Sequence, residues 1–316
     1  MKKKSTKPKT KVAKTISIFK LMEMFPTEQS AIDYVTKILW PDGAVCPYCK
    51  SREVSVRKQK NYYNCRDCRR DFTIRVGTIF HRSHLPMRTW LLAFLATVTE
   101  RRGVSSLCLS KQLEITQKTA WFLLHRIRTA CGNMGAKLLS GIVEADESHY
   151  GGLEKNKHEW KKLNMGRGVV GKQPVLVLRS RDGRVVAKTV KKVTRKALHD
   201  FVKANVAQGS TLCTDEHKGY EGLGKFYMHK TVKHSEKQYV NGIASVNGTE
   251  SVNSILQKCY YGTYNGFSFR LSQYYVNEVV FRLNEGNCEI DTEDRINSLL
   301  LGMRDKRLTY QQLIAS

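Results

Sequence analysis

Two sets of residues have the types and spacing that do chemistry. Cys46-Pro-Tyr-Cys49 and Cys65-Arg-Asp-Cys68 are two Cys-x-x-Cys pairs with fifteen residues between them. Each such turn aims two thiolates at one point, and two turns complete a tetrahedral sulphur set suited to one structural Zn2+. Four thiolates leave no open coordination position, so this ion folds the chain and does not act on a substrate. The second set is acidic. Asp146 ends a strand-like run at 142–145, Asp215 follows another at 211–214, and Glu250 opens a helix with Val252, Ile255, Leu256 and Cys259 on its core face. Carboxylates at strand ends and a helix start can meet around one cleft. Hard oxygen donors of this kind suit two Mg2+ or Mn2+ ions, which activate a hydroxyl and stabilise the leaving oxygen of a phosphodiester. Glu144, Glu147 and Glu216 are neighbouring alternatives. In an extended strand Glu144 shares the side of Asp146, and Glu147 points to the other.

Elements must bring these groups together. The spacing predicts a short helix near 28–38, a hairpin ribbon carrying the cysteines, and an apolar helix at 86–99. A helix-turn-helix-like unit follows, with helices at 106–113 and 117–129. In its second helix Ala120, Leu123, Leu124 and Ile127 are expected inside, and Gln117, Lys118, His125, Arg126 and Arg128 on the polar face. Strand-like runs at 142–145, 169–178 and 185–190, an Asp182-Gly183 turn, a helix at 194–206 and a strand at 211–214 give an α/β domain with a mixed sheet: antiparallel hairpins first, then a helical crossover. A helix at 268–283 braces it.

The 316 residues carry 54 Lys+Arg against 28 Asp+Glu, a formal net charge of +26, with 41% hydrophobic and 26% charged residues. That composition is a folded, soluble one, and the charge calls for a polyanion, nucleic acid first. No apolar run spans a bilayer and no signal-peptide core follows the basic start. Nine cysteines in a chain of this length favour reduced thiols and the cytoplasm. The first twenty residues hold eight lysines and no acid. Candidate DNA contacts are Arg57, Lys58, Lys60, Arg69 and Arg70 of the ribbon, Lys118 and Arg126 of the second helix, and Lys155, Lys161, Lys162 and Arg167 of a basic loop.

The runs Glu144-Ala-Asp-Glu-Ser-His-Tyr-Gly-Gly, Thr214-Asp-Glu-His-Lys-Gly-Tyr and Val246-Asn-Gly-Thr-Glu-Ser-Val-Asn-Ser-Ile-Leu-Gln-Lys, with Tyr260-Tyr-Gly-Thr-Tyr, resemble the DDE transposases of a bacterial insertion-sequence family with an N-terminal zinc ribbon and an ISXO2-like transposase domain. The resemblance covers about residues 28–284. It implies a ribonuclease H-like catalytic domain with Asp146, Asp215 and Glu250 as its acids, the last two separated by 34 residues. It also implies His234 as an auxiliary residue, cleavage and strand transfer on double-stranded DNA at terminal inverted repeats, a target DNA, and a homo-oligomeric synaptic complex in the nucleoid; Asn253, one helical turn from Glu250, is a second auxiliary candidate by its spacing. The expected fold class is multidomain α/β: a basic flexible tail at 1–27, a zinc ribbon with its preceding helix at 28–80, a helical DNA-binding domain at 81–135, the catalytic domain at 140–284 and a C-terminal helical extension at 285–316. The rival readings are a divalent-metal nuclease or resolvase without strand transfer, and a non-catalytic DNA-binding regulator derived from a transposase.

Overall fold

The computed structural model describes residues 12–58, 61–132, 137–152, 157–163, 168–232, 240–241 and 244–315. Helix α1 (Ile18–Met24) lies within the stretch expected to be a tail; Ser17 caps it, and Leu21 and Phe25 are buried. Helix α2 (Glu28–Leu39) starts at a Thr27 capping box that satisfies two of its free amides. The ribbon is a three-stranded antiparallel sheet of β1 (Val54–Val56), β2 (Tyr63–Cys65) and β3 (Asp71–Phe72). Trp40 at the end of α2 packs edge-on against Tyr63 and Phe72 and joins the ribbon to the helix before it.

Helix α3 (Met87–Thr99) is apolar nearly all round and becomes the centre of a helical core. Glu28 receives the Met87 and Arg88 amides at 2.6 and 3.2 Å, supplying the side-chain cap that Pro86 lacks. Helices α4 (Ser106–Leu113) and α5 (Gln117–Cys131) follow, separated by a turn in which Glu114 takes a left-handed conformation, φ 54°.

The second half holds a five-stranded sheet of β4 (Ile142–Tyr150), β5 (Gln173–Ser180), β6 (Val185–Thr189), β7 (Thr211–Thr214) and β8 (Met228–Thr231), in the order β6-β5-β4-β7-β8. The first three strands are antiparallel. Helix α6 (Arg195–Asn205) then crosses over so that β7 runs parallel to β4, and β8 parallel to β7. The sheet is therefore mixed, as expected, with β8 as a strand that sequence pattern did not reveal. A short hairpin, β9 (Val240–Asn241) with β10 (Ala244–Ser245), leads into helix α7 (Asn247–Lys258), and α8 (Ser272–Leu283) follows. Alternation along β4 decides its two faces: Val143 and Ala145 pack under α6, whereas Tyr150 packs under α7 and α8.

The C-terminal helical residues pack on the helical core: Ile296, Leu299 and Leu300 of α9 (Thr292–Gly302) join α2, α3 and α5. The following α10 (Tyr310–Ile314) places Leu313 with Leu271 and Tyr275. The polar face proposed for α5 is also largely buried. Arg128 and Arg282 enclose the fully buried Glu278; the Arg128 Nε donates to it at 2.7 Å, and Arg282 donates to its other oxygen. Burial alone would raise the Glu278 carboxyl, but Arg282 and Arg128 hold it below the usual range. Arg128 also lies over the Tyr275 ring at 4.0 Å. His125 sits among Trp121, Tyr274 and Tyr275, and burial with Arg128 nearby lowers it to about 3, so it is neutral.

Removing Glu278 leaves two guanidinium groups buried together without a counter-charge. Glu278→Ala is expected to lower unfolding free energy by about 3–5 kcal/mol, read from urea denaturation. A loss below about 1 kcal/mol would show that the pairs add nothing beyond a surface bridge.

Candidate active site

The four cysteines converge. Their sulphur atoms all lie within 4.8 Å of one another, with Cys46 to Cys68 at 3.6 Å and Cys49 to Cys65 at 3.5 Å. A zinc tetrahedron with bonds near 2.3 Å has sulphur–sulphur edges of about 3.8 Å, so the donor set fits the ion. Among the described residues this is the one cluster of three or more metal-ligating side chains packed so closely.

The acids gather at the other site. Asp146 is not at the end of its strand, because β4 continues to Tyr150 along β5. It stands where β4 outruns its other neighbour: pairing with β7 ends at Glu144 opposite Cys213, and the same offset continued one pair further than Thr214 sets Asp215 level with Asp146. Glu250 and Asn253 of α7 line a cleft of about 300 Å³ together with Asp146, Glu147, Tyr150, Gln257 and Tyr261. Asn253 donates its amide to Asp146 Oδ2 at 2.8 Å, and the Glu147 amide donates to Oδ1 at 2.8 Å. Each oxygen keeps a lone pair for another partner. Burial, and then the charges of Glu147, Asp215 and Glu250, push the Asp146 carboxyl up to about 7. A buried carboxylate crowded by other acids is a donor that a divalent cation relieves.

The other acidic candidates separate by face. Glu147 points to the α6 side, where the Tyr220 hydroxyl donates to it at 2.9 Å and His217 Nε2 lies 3.8 Å away. Burial and then Asp215 raise its carboxyl. The same surroundings, burial first and Glu147 next, raise the Tyr220 phenol well above its usual value, and burial lowers His149. Glu144, on the side of Asp146, is turned to the start of α7. Tyr150 and Gln257 of the cleft, and Tyr220 and His217 beside Glu147, were not foreseen; only the two-residue alternation from Asp146 pointed to Tyr150.

The expected DNA contacts differ in their surroundings. Lys58, Arg69, Arg70 and Lys118 are exposed, with Arg70 over Tyr48 and Lys118 over Tyr310. Arg57 pairs with Asp71 at 2.8 Å and Lys162 with Glu159 at 2.5 Å. Arg126 is buried, lies over Phe122 at 4.3 Å and donates to the His81 carbonyl, which removes it from a DNA face. Lys161 belongs to a 3-10 turn, Glu159–Lys161. Lys60, Lys155, Arg167 and His234 lie outside the described residues.

Comparison with known proteins gives two family matches in chain order: a transposase zinc-ribbon domain over residues 26–71 and an ISXO2-like transposase domain over residues 138–284. A curated protein described as an uncharacterized protein in transposable element ISH50 of Halobacterium salinarum is 27% identical over 252 residues, covering 75% of this chain and 84% of the relative. Two solved structures, a Mos1 strand transfer complex and a pre-cleavage Mos1 transpososome, align at 13% and 10% identity. They cover 62% and 66% of this chain and 76% and 78% of theirs, with TM-scores of 0.22 and 0.24, too low to bear on the fold. No helix among the described residues is long and apolar enough to cross a membrane.

Two measurements test the sites. Cys65→Ser is expected to take bound zinc from one ion per chain to near none, counted by mass spectrometry of metals, and to make the ribbon protease-sensitive. Asp146 has a folded-state pKa raised from 3.8 to about 7. The folded chain therefore binds a proton that the unfolded chain has released, and stability falls as pH rises through that window. In buffer free of magnesium and manganese, Asp146→Asn is expected to raise the melting temperature by about 5 °C at pH 8 and by less at pH 5. An equal change at both pH values would count against the crowding of acids.

Proposed function

From its membership of the transposase family that joins a zinc ribbon to an ISXO2-like domain, we propose that this chain is a DDE transposase that cuts DNA at the ends of an insertion sequence and joins them to a target. The observation that carries this reading is the meeting of Asp146, Glu250 and Asn253 in one cleft, with Asp215 level with Asp146 on the adjacent parallel strand. The strand order, three antiparallel strands followed by a helical crossover to a parallel pair, supports a ribonuclease H-like reading of this half.

Asp146, Asp215 and Glu250 are the ligands for two Mg2+ or Mn2+ ions. When bound, those ions supply Lewis-acid stabilisation of the attacking and leaving oxygens of a phosphodiester. The protein's own contribution is position. The Asn253 amide fixes the Asp146 carboxylate, and the Tyr150 hydroxyl, 3.3 Å from the Asn253 carbonyl, ties α7 to β4 beside it. No side chain is needed as a covalent nucleophile: water opens the end, and the freed 3′-hydroxyl attacks the target strand. The ribbon's exposed Lys58, Arg69 and Arg70, with Lys118 at the start of α5, contact the DNA backbone, and the α4–α5 pair acts as a helix-turn-helix unit. Recognition of terminal inverted repeats, pairing of two ends by a homo-oligomer and a place in the nucleoid follow from this role.

The test supplies the DNA flanking the gene, a target plasmid and manganese to wild-type, Asp146→Asn, Asp215→Asn and Glu250→Gln proteins. Wild type is expected to cleave and join. Each variant is expected to lose several kcal/mol of transition-state stabilisation, on the order of a thousandfold in rate, with DNA affinity kept. Cleavage without joining would identify a nuclease or resolvase. DNA binding with no manganese-dependent reaction would identify a regulator.

A further inference from the structure

Helix α7 begins without a side-chain cap of its own, since Val246 occupies the capping position. Its first amides are free groups that a partner must satisfy. Ser245 Oγ takes the Asn247 amide at 3.2 Å. The next two go to a residue a hundred positions earlier: Glu144 Oε2 accepts from the Gly248 amide at 2.7 Å and the Thr249 amide at 3.2 Å. Glu250 comes next in the chain. The other Glu144 oxygen accepts from Arg181 Nε at 3.3 Å, and Arg179, opposite Glu144 in the β4–β5 register, donates to the Gly248 carbonyl at 3.0 Å.

The approach leaves no spare space. A Cβ on Gly248 would stand 2.5 Å from Glu144 Oε2 and 3.2 Å from Arg179 Cδ. Two residues further along β4, Asp146 receives the Asn253 amide. Two strand residues advance by about 6.8 Å, and the five helical residues from Gly248 to Asn253 by about 7.5 Å. Strand and helix are thus tied at two points with matching spacing, and Glu250 lies between the ties.

We infer that Glu144 is a positioning residue for the reaction: acting as a remote cap on α7, it sets where the Glu250 carboxylate stands relative to Asp146. This rests on the reading of Glu250 as a metal ligand. An anion at a helix N-terminus is favourable in its own right, but the amides it holds are the two immediately before Glu250, so loss of the cap moves that ligand first.

The test uses the full-length, zinc-loaded protein. Free Mn2+ is counted by electron paramagnetic resonance during titration, and end cleavage is followed against both manganese and DNA concentration. Glu144→Ala is expected to raise half-saturating Mn2+ about tenfold or more and to lower kcat at limiting manganese. The KM for DNA is expected to stay unchanged, and turnover to recover at high manganese. Glu144→Gln, which keeps an acceptor for the two amides, should lie much nearer wild type. Gly248→Ala should reproduce the defect in the wild-type background and add little to Glu144→Ala, because the group it collides with is gone. Wild-type Mn2+ binding in Glu144→Ala would overturn the inference, as would an equal penalty for Gly248→Ala in both backgrounds. If Glu144→Ala does not fold, Glu144→Gln and Gly248→Ala decide the question. Wild-type Mn2+ affinity and cleavage in Glu250→Gln would instead overturn the ligand assignment, a failure separate from that of Glu144.

Discussion

A carboxylate with no exposure to solvent, held between two arginines, fixes how the two halves of the chain meet. Glu278 on α8 has no water to stabilise its charge, so Arg128 on α5 and Arg282 one turn along its own helix must both stay in place. Such a group tolerates little displacement, since any shift leaves a buried charge short of a partner. Gly103, in the turn between α3 and α4, has φ 81°, and a Cβ there would meet the Tyr264 hydroxyl and Glu278. Two segments of the helical half, α5 and the Gly103 turn, therefore converge on one group with α8 and the Tyr264 segment of the other half. Helix α8 in turn covers the outer edge of β6: Gln273 takes the Thr189 amide at 2.8 Å, and Asn284 bonds Val185 through both its amide atoms. That edge would otherwise offer unpaired amides to another strand.

The acid site is the opposite electrostatic arrangement. There the charges are alike, and the site holds together because β4 puts alternate residues to different uses. Glu144 caps α7, Asp146 faces the cleft, and Glu147 on the far face satisfies Tyr220. The repulsion appears in the raised Asp146 carboxyl. The packing that orders the acids also desolvates them, and a cation is the natural relief.

Local chemistry was legible in the sequence, and distant partners were not. The cysteines could be read because both ligands of each pair lie within one turn, so the chain itself ensures their meeting. Asp146 and Asp215 stood out as acids that follow strand-like runs; β4 runs on past Asp146, and what sets the two level is the β4–β7 offset, which no local pattern carries. The extent of β4 could not be read, since residues 147–149 are polar and their strand state depends on β5. Arg126 and Arg128 carry the pattern of a solvent face. Their burial depends on His81, Phe122 and Glu278, and no spacing rule points from residue 128 to residue 278. The same limit left open what the C-terminal helix packs against: the apolar residues of α9 fill a core begun more than 200 positions earlier.

The net charge of +26 therefore overstates what a polyanion would meet. Arg126, Arg128, Arg282 and Arg295 are buried and occupied within the fold: Arg295 donates to the Val98 carbonyl at 2.6 Å and so fastens α9 to the end of α3. These charges are spent on joining segments, and Arg57 is partly neutralised by Asp71. What remains outward on the ribbon includes Arg52, Lys58, Arg66, Arg69 and Arg70, on a module that carries the four-thiolate cluster and only a small core. A rigid support for exposed cations raises their effect on a phosphate backbone, because little side-chain and chain entropy is lost on contact. In this chain the four-thiolate cluster and these exposed cations thus belong to one small module, separate from the strand and helix that order the acids.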